Sequence, residues 1–327
     1  MNVRIKTPAR LHLGLLDMNG ELGRLYGSIG VAIERPNVVL EADLQNTGGV
    51  NDLVVEGLEQ ERLIMYASRF LARYPLPGRV NLNLRSNIPA HVGLGSGTQL
   101  ALAIGTALAR LGGLMLNVAE LGFIMKRGLH SGIGIAAFQQ GGFVVDGGHL
   151  IVDDQQSIPP VLFRHSIPED WFFVVAIPKV HPGLSGNDEQ LAFQTLPPAP
   201  APLVEKICRL LVMKMLPALV ENDIAQFGQA LTQIQQLVGD SFAAIQGGQF
   251  GNTLSEQIIA HMLQQGARGA GQSSWGPTVY ALVQDEGQAQ QLESNIQEYL
   301  EPRGGGNVFY THADSHGARL EIVAEHK

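Results

Sequence analysis

The chain has 327 residues, 45% of them hydrophobic and 16% charged, with a net charge of −8 and one cysteine. That composition suits one large or two ordinary globular domains and excludes a disordered segment. Scattered Lys and Arg give no basic stripe for nucleic acid, and the single Cys208 excludes an internal disulfide or a cysteine-based zinc site.

Val3, Ile5 and Thr7 alternate with charged residues and predict a first strand. The N-terminus shows no apolar signal-peptide core, so a cytoplasmic protein is expected. The second half of the following run, residues 8–17, reads as a buried strand, with Arg10, His12 and Asp17 near its ends. These three make either a surface ion-pair set or part of a site. Residues 38–42 predict another strand, and 59–74 carry the apolar spacing of a helix.

Val80, Leu82 and Leu84 alternate with polar residues, and a glycine loop then opens a long apolar helix. The loop reads Pro89-Ala90-His91-Val92-Gly93-Leu94-Gly95-Ser96-Gly97-Thr98. Glycines let the backbone approach a ligand, and the free N–H groups and dipole of the helix N-terminus favour an anion, usually phosphate. The phosphate-binding set is therefore His91, Gly93, Gly95, Ser96, Gly97 and Thr98. The loop lacks the Gly-Lys-Ser/Thr end of a Walker motif and the glycine spacing of a dinucleotide fingerprint. The helix behind it contains Thr106, Arg110 and a Gly112-Gly113 stop, so no membrane span is expected.

Ser131-Gly132-Ile133-Gly134 predicts a second glycine turn, and residues 140–149 a hairpin arm in which Asp146 closes an apolar strand. Asp153 and Asp154 read as a solvated turn. Residues 171–177 predict an apolar strand, followed by Lys179 and His181, and prolines at 197, 198, 200 and 202 a stiff surface segment. Helices are predicted at 203–216, 225–238, 255–265 and 288–300, and strands at 278–283 and 307–311. Gly269-Ala270-Gly271, with Ser273, Ser274 and Trp275, reads either as a structural turn or as a third, ligand-binding loop. The histidines show no metal-ligand spacing. The simplest division gives two α/β halves, 1–168 and 169–327.

Three of these segments together resemble the GHMP kinase superfamily: Pro8-Ala9-Arg10, the loop at 93–97, and Gly269-Ala270-Gly271. The resemblance covers nearly the whole chain. It implies a two-domain α/β (α+β) fold, an N-terminal phosphate-binding domain and a C-terminal ferredoxin-like domain with the site between them. Many family kinases carry Ser-Gly-x-Asp, whose Asp polarises the acceptor hydroxyl; here Gly134 stands at that position.

Four segments, at 10–17, 93–99, 127–148 and 272–277, resemble the β-ribofuranosylaminobenzene 5′-phosphate synthase branch of that superfamily. The resemblance implies an enzyme of tetrahydromethanopterin biosynthesis. It would join phosphoribosyl pyrophosphate to 4-aminobenzoate or 4-hydroxybenzoate, releasing carbon dioxide and pyrophosphate. Asp17, Asp146 and His12 become the candidate catalytic residues, with either carboxylate supporting a cationic sugar. Arg10, Arg24, Lys179 and His181 become candidates to grip the phosphate or carboxylate, beside Gly271, Ser273, Ser274 and Trp275 as substrate-binding residues. Magnesium is expected on the pyrophosphate. Pyridoxal phosphate is not, because the acceptor's own para group supplies the electrons. The partners are small molecules, and the apolar C-terminal helices allow a homodimer. An ATP-dependent small-molecule kinase and a non-catalytic ligand sensor remain as alternatives.

Overall fold

The computed structural model describes residues 2–152, 157–184 and 186–323; Asp153 and Asp154 lie outside them. In chain order the elements are β1 (Asn2–Asp17), β2 (Arg24–Val50), β3 (Asp52–Gly57), α1 (Gln60–Leu71), β4 (Pro77–Ser86), α2 (Ser96–Leu111), α3 (Val118–Ile124) and α4 (Ile133–Gln140). There follow β5 (Phe143–Asp146), β6 (His149–Leu150), β7 (Val161–His165), β8 (Phe172–Pro178), α5 (Asn187–Thr195), α6 (Ala201–Leu210) and α7 (Leu216–Val220). The chain closes with α8 (Ile224–Gln246), α9 (Thr253–Gln264), β9 (Gly269–Gln272), β10 (Val279–Val283), α10 (Glu286–Leu300), β11 (Gly306–His312) and β12 (Arg319–Val323).

The first sheet runs β12-β1-β2-β4-β3, and β5 and β6 pair with the early part of β2. Residues 2–17 form one strand rather than two, and the segment at 38–42 is the interior of a 27-residue strand. β1 changes character along its length. Val3 and Ile5 are buried between exposed Arg4 and Lys6, whereas every residue from Leu11 to Leu15 is buried. The reason is that α2, α4 and α8 all pack on β1, so both of its faces are covered and alternation disappears. The predicted hairpin arm at 140–149 also resolves differently: β5 and β6 pair with β2, not with each other.

The second sheet runs β11-β8-β10-β9, all antiparallel. In sequence order its strands stand 4-1-3-2, with helices between the first and second and between the third and fourth. This is the ferredoxin-like arrangement. β8 is apolar on both faces because it serves two cores. Phe173 and Val175 join the large core shared with the first sheet, while Phe172, Val174 and Ala176 pack with α9 and α10. Residue 168 falls in the link between β7 and β8, and the chain crosses that division again at its end. β12 returns to the first sheet and pairs antiparallel with β1, from Asn2 opposite Val323 to Lys6 opposite Arg319.

The segment Gly269-Ala270-Gly271 is strand β9, fully buried, and not a loop. A Cβ on Gly269 would stand 2.4 Å from the Gly228 carbonyl oxygen, and one on Gly271 2.5 Å from the Gln235 side chain. Small residues are required there because α8 lies directly on the strand.

Candidate active site

β1, the glycine loop and the turn after β9 are stitched into one seam. Arg10 N–H donates to the Leu94 carbonyl at 3.2 Å, Thr278 N–H to Val92 at 3.3 Å and Ser274 N–H to His12 at 3.3 Å. Ser273 is fully buried in this seam; its hydroxyl donates to the Gly93 carbonyl at 2.7 Å and accepts from the His12 N–H at 2.9 Å. Gly93 has φ +87°, and a Cβ on it would stand 2.3 Å from the Ser273 carbonyl oxygen. Gly93 is therefore glycine for the contact between the two segments.

Gly95 has a different reason to be glycine. Gly95, at φ +80°, precedes the first turn of α2, and no side chain caps that helix. A Cβ there would lie 3.0 Å from Arg10 Cγ and 3.3 Å from its Nε, and a Cβ on Gly97 would meet Arg127 Nη1 at 3.5 Å. The missing side chain at Gly95 makes room for the Arg10 side chain at the helix N-terminus, and Gly97 lies in ordinary contact with the Arg127 guanidinium. Arg10 donates to the Gly93 carbonyl, and Arg127 donates to the Tyr66 hydroxyl with its guanidinium 5.0 Å from the ring centroid. Among the described residues, the buried Arg127 Nε has no hydrogen-bond partner. Burial lowers the pKa of Arg10 to about 10 and lowers that of Arg127 as well. Arg10 stays cationic near neutral pH, and among the described residues no ion pair neutralises either guanidinium, which favours an anionic ligand.

These arginines open onto a cavity of about 310 Å³ between the two sheets and α5. Arg10, His12, Thr98, Arg127 and His130 line it together with Phe193, Phe242 and Trp275, and the His130 ring stacks on Phe193 at 4.3 Å. The Trp275 ring meets Phe242 at 4.9 Å and Phe193 at 5.6 Å, both edge-on. Glu189, on α5, also lines the cavity and accepts a hydrogen bond from Trp275 Nε1 at 3.0 Å. Burial raises its pKa, while Trp275, Arg10 and Arg127 oppose that rise. The approach of α5 depends on Gly183, where a Cβ would stand 2.1 Å from the Trp275 carbonyl oxygen.

Of the residues singled out in the sequence, Arg10, His12, Thr98, Ser274 and Trp275 line the cavity. His12 is buried, and desolvation, with Arg10 adding to it, lowers its pKa to about 3, so its ring is neutral at physiological pH. Asp146 does not line the cavity. Its two oxygens accept the N–H groups of Gly132 at 2.8 Å and Gly148 at 2.9 Å, and burial raises its pKa to about 6 against those bonds. Asp17 caps its own turn, with Oδ1 accepting from Asn19 N–H at 2.7 Å and Gly20 N–H at 3.0 Å. Arg24 donates to the Gly147 and Gly148 carbonyls at 2.6 and 2.8 Å. Lys179 and His181 are exposed after β8, His91 is exposed with φ +58°, and none of the three lines the cavity. Gly271 sits under Gln235 in β9.

The sequence reading missed Arg127, His130 and Glu189. Arg127 had a usable signal, since it stands just before the second glycine turn. Glu189 had none, because Asp188 and Glu189 in the first turn of a nine-residue helix look like any solvated helix residues.

At the kinase-Asp position, Gly134 packs against Thr98. A Cβ there would lie 3.0 Å from Thr98 Cγ2 and 3.2 Å from its Cβ. Threonine in the first turn of α2 thus occupies the space that a side chain at 134 would need.

Among the described residues, no group of three or more His, Cys, Asp or Glu could hold a metal ion. Glu189 is the one carboxylate among the cavity's described lining residues. A magnesium ion carried on substrate phosphates would need no such group, and no step below is routed through one. Among the same residues, no helix is long and apolar enough to cross a membrane.

The two-sheet architecture with its glycine loop defines a GHMP-kinase fold. Residues 62–142 match the GHMP kinases N terminal domain and residues 215–302 the GHMP kinases C terminal domain. Homoserine kinase from Cytophaga hutchinsonii superimposes with a TM-score of 0.67 at 17% identity, covering 98% of this chain and 97% of that one. The fold alone is shared at that distance.

Sequence similarity is closer to one branch. The chain is 38% identical to beta-ribofuranosylphenol 5'-phosphate synthase of Methanothermobacter thermautotrophicus, over 86% of this chain and 89% of that one. It is 36% identical to the protein of that name from Archaeoglobus fulgidus, over 98% and 100%. The chain belongs to the beta-ribofuranosylphenol 5'-phosphate synthase family and is an enzyme of the pentosyltransferase class.

Proposed function

We propose that the enzyme joins phosphoribosyl pyrophosphate to 4-hydroxybenzoate or 4-aminobenzoate with release of carbon dioxide and pyrophosphate, in methanopterin biosynthesis. The observation that carries this reading is the two-part chemistry of the cavity. Two half-buried guanidiniums stand beside a glycine-opened helix N-terminus, and three aromatic rings line the same space. A polyanionic sugar donor matches the first part and a benzoate ring the second. The family name also supports a ribosyl phosphate product, and it names a phenol, which favours testing 4-hydroxybenzoate beside 4-aminobenzoate.

The donor pyrophosphate lies in this reading against the first-turn N–H groups of α2 and the Arg10 and Arg127 guanidiniums. Negative charge builds on the pyrophosphate as its bond to ribose C1 breaks, and fixed donors stabilise that charge most when it is fully developed. The acceptor ring packs among Phe193, Phe242 and Trp275. Its carboxylate-bearing carbon forms the new bond to C1. The bond to the carboxylate then breaks, its electron pair returns to the ring, and carbon dioxide leaves. An apolar setting favours that loss, because it solvates the benzoate carboxylate poorly.

The kinase alternative lacks its carboxylate at position 134, and Thr98 fills the place where one would stand. The test is product identification. Purified protein is incubated with phosphoribosyl pyrophosphate and each acceptor, and the arene product is weighed by mass spectrometry. A ribosyl 5′-phosphate arene without a carboxyl group is expected. A product that retains the carboxyl group, or no product with either acceptor, contradicts the reading.

A further inference from the structure

We propose that Glu189 is the catalytic carboxylate that stabilises positive charge on the ribosyl ring as the C1–pyrophosphate bond breaks. The assignment rests on the transferase reading above. It follows from where the carboxylate sits, not from any spacing in the sequence.

Glu189 stands at the junction of the two parts of the cavity. Its Oε1 accepts from Trp275 Nε1 at 3.0 Å, which ties it to the aromatic group. Its charge is felt by both Arg10 and Arg127, which ties it to the anion end. Among the described residues no ion pair closes between Glu189 and either guanidinium, although all three line the same cavity. A donor whose pyrophosphate lies on the arginines, and whose C1 meets a ring on Trp275, places C1 at that junction.

The electron accounting gives the carboxylate its task. The C1–O bond breaks heterolytically, and the pair leaves with pyrophosphate. C1 and the ring oxygen of ribose carry the positive charge until the ring carbon of the acceptor supplies a pair to C1. Loss of carbon dioxide returns a pair to the ring. Glu189 gains and loses no bond in this sequence. It opposes the charge of the transient sugar cation, as carboxylates do at cationic glycosyl centres. Asp17 and Asp146, the carboxylates first suited to this role, do not line the cavity; Oδ1 of Asp17 and both oxygens of Asp146 accept backbone N–H groups. Glu189 keeps one oxygen free of any hydrogen bond in the described structure.

A fixed carboxylate near pyrophosphate repels the donor in the ground state and attracts it only as the cation forms. That gives a signature which a merely structural residue lacks. Glu189→Gln keeps an oxygen for Trp275 Nε1 and removes the charge. It should lower kcat by about 100-fold, in the range of other single groups that stabilise transition-state charge, while phosphoribosyl pyrophosphate binds no less tightly. The measurements are carboxyl-label release for kcat and equilibrium dialysis of labelled donor for Kd. Glu189→Asp, which keeps the charge, should retain more of the rate than Gln. A Gln variant within about twofold of wild-type kcat overturns the assignment. So does a loss of donor affinity in step with kcat, or equal losses in Asp and Gln. Wild-type protein is assayed first: absence of label release there removes the transferase reading itself. Label release by wild type, unchanged in Gln, removes Glu189 alone.

Discussion

Two glycine-rich segments of this chain look alike as text and do opposite things. At Gly95 the missing side chain leaves room for the Arg10 guanidinium beside a helix N-terminus; at 269–271 missing side chains leave room for a helix against a strand. The first segment runs into Thr98, which lines a cavity, and the second is buried between β10 and α8. A glycine therefore reports a close approach, but the neighbour that approaches decides whether the approach serves binding or packing.

The contrast breaks most visibly at the packing site. Gly269→Ala drives a methyl group into the Gly228 backbone, which cannot move aside as a side chain end would. It should destabilise the fold by about 3 kcal/mol, at the upper end of ordinary overpacking, as read from urea melts. A melt unchanged from wild type would mean that α8 does not lie on β9 as described. At the binding site, Arg127→Met should leave the melt nearly in place and weaken phosphoribosyl pyrophosphate by about 30-fold, the equivalent of about 2 kcal/mol for a charged hydrogen bond. Donor affinity equal to wild type would remove Arg127 from the cradle. Gly95→Ala should strain a left-handed residue by about 1 kcal/mol and displace Arg10, so donor Kd should rise more than the melt falls. The reverse ranking would make this loop a packing element like the other.

A smaller effect separates the two regions by pH. His12 and His130, at the cavity, have pKa values lowered by burial to about 3 and about 4. The unfolded chain takes up their protons first, so their contribution to stability falls as pH drops from about 6.5 toward those values. Asp146, at the strand turn, is raised to about 6. The folded chain holds its proton more tightly, so its contribution falls as pH rises from about 4 to about 6. His12→Gln should therefore flatten the acid loss in urea melts between pH 6.5 and 4, and Asp146→Asn should flatten the opposing slope. Parallel curves for wild type and His12→Gln would contradict the buried, neutral His12.

Much of the fold was legible because it rests on local patterns. Alternation marked β4, 3.6-residue spacing marked α1 and α8, and the break at Gly112 marked the end of α2. The merging of 2–17 into one strand was not legible, since coverage of both faces by distant helices erased the alternation. The return of β12 to β1 depends on a pairing across the whole chain. In the site, Arg10, His12, Thr98 and Trp275 were legible through the segments that hold them. Glu189 reaches the cavity only because Gly183 lets the chain turn over Trp275, and no local pattern encodes that meeting. Asp146 drew attention as a strand-end acid, and the structure shows its oxygens holding two backbone N–H groups.

The central claim is that the loop at 93–98 cradles a leaving pyrophosphate. The most direct measurement supplies carboxyl-labelled 4-hydroxybenzoate or 4-aminobenzoate with phosphoribosyl pyrophosphate and counts both released products. The account predicts labelled carbon dioxide and pyrophosphate in equal amounts, with no requirement for ATP. Retained label together with ADP formation from ATP and an alcohol acceptor would contradict it.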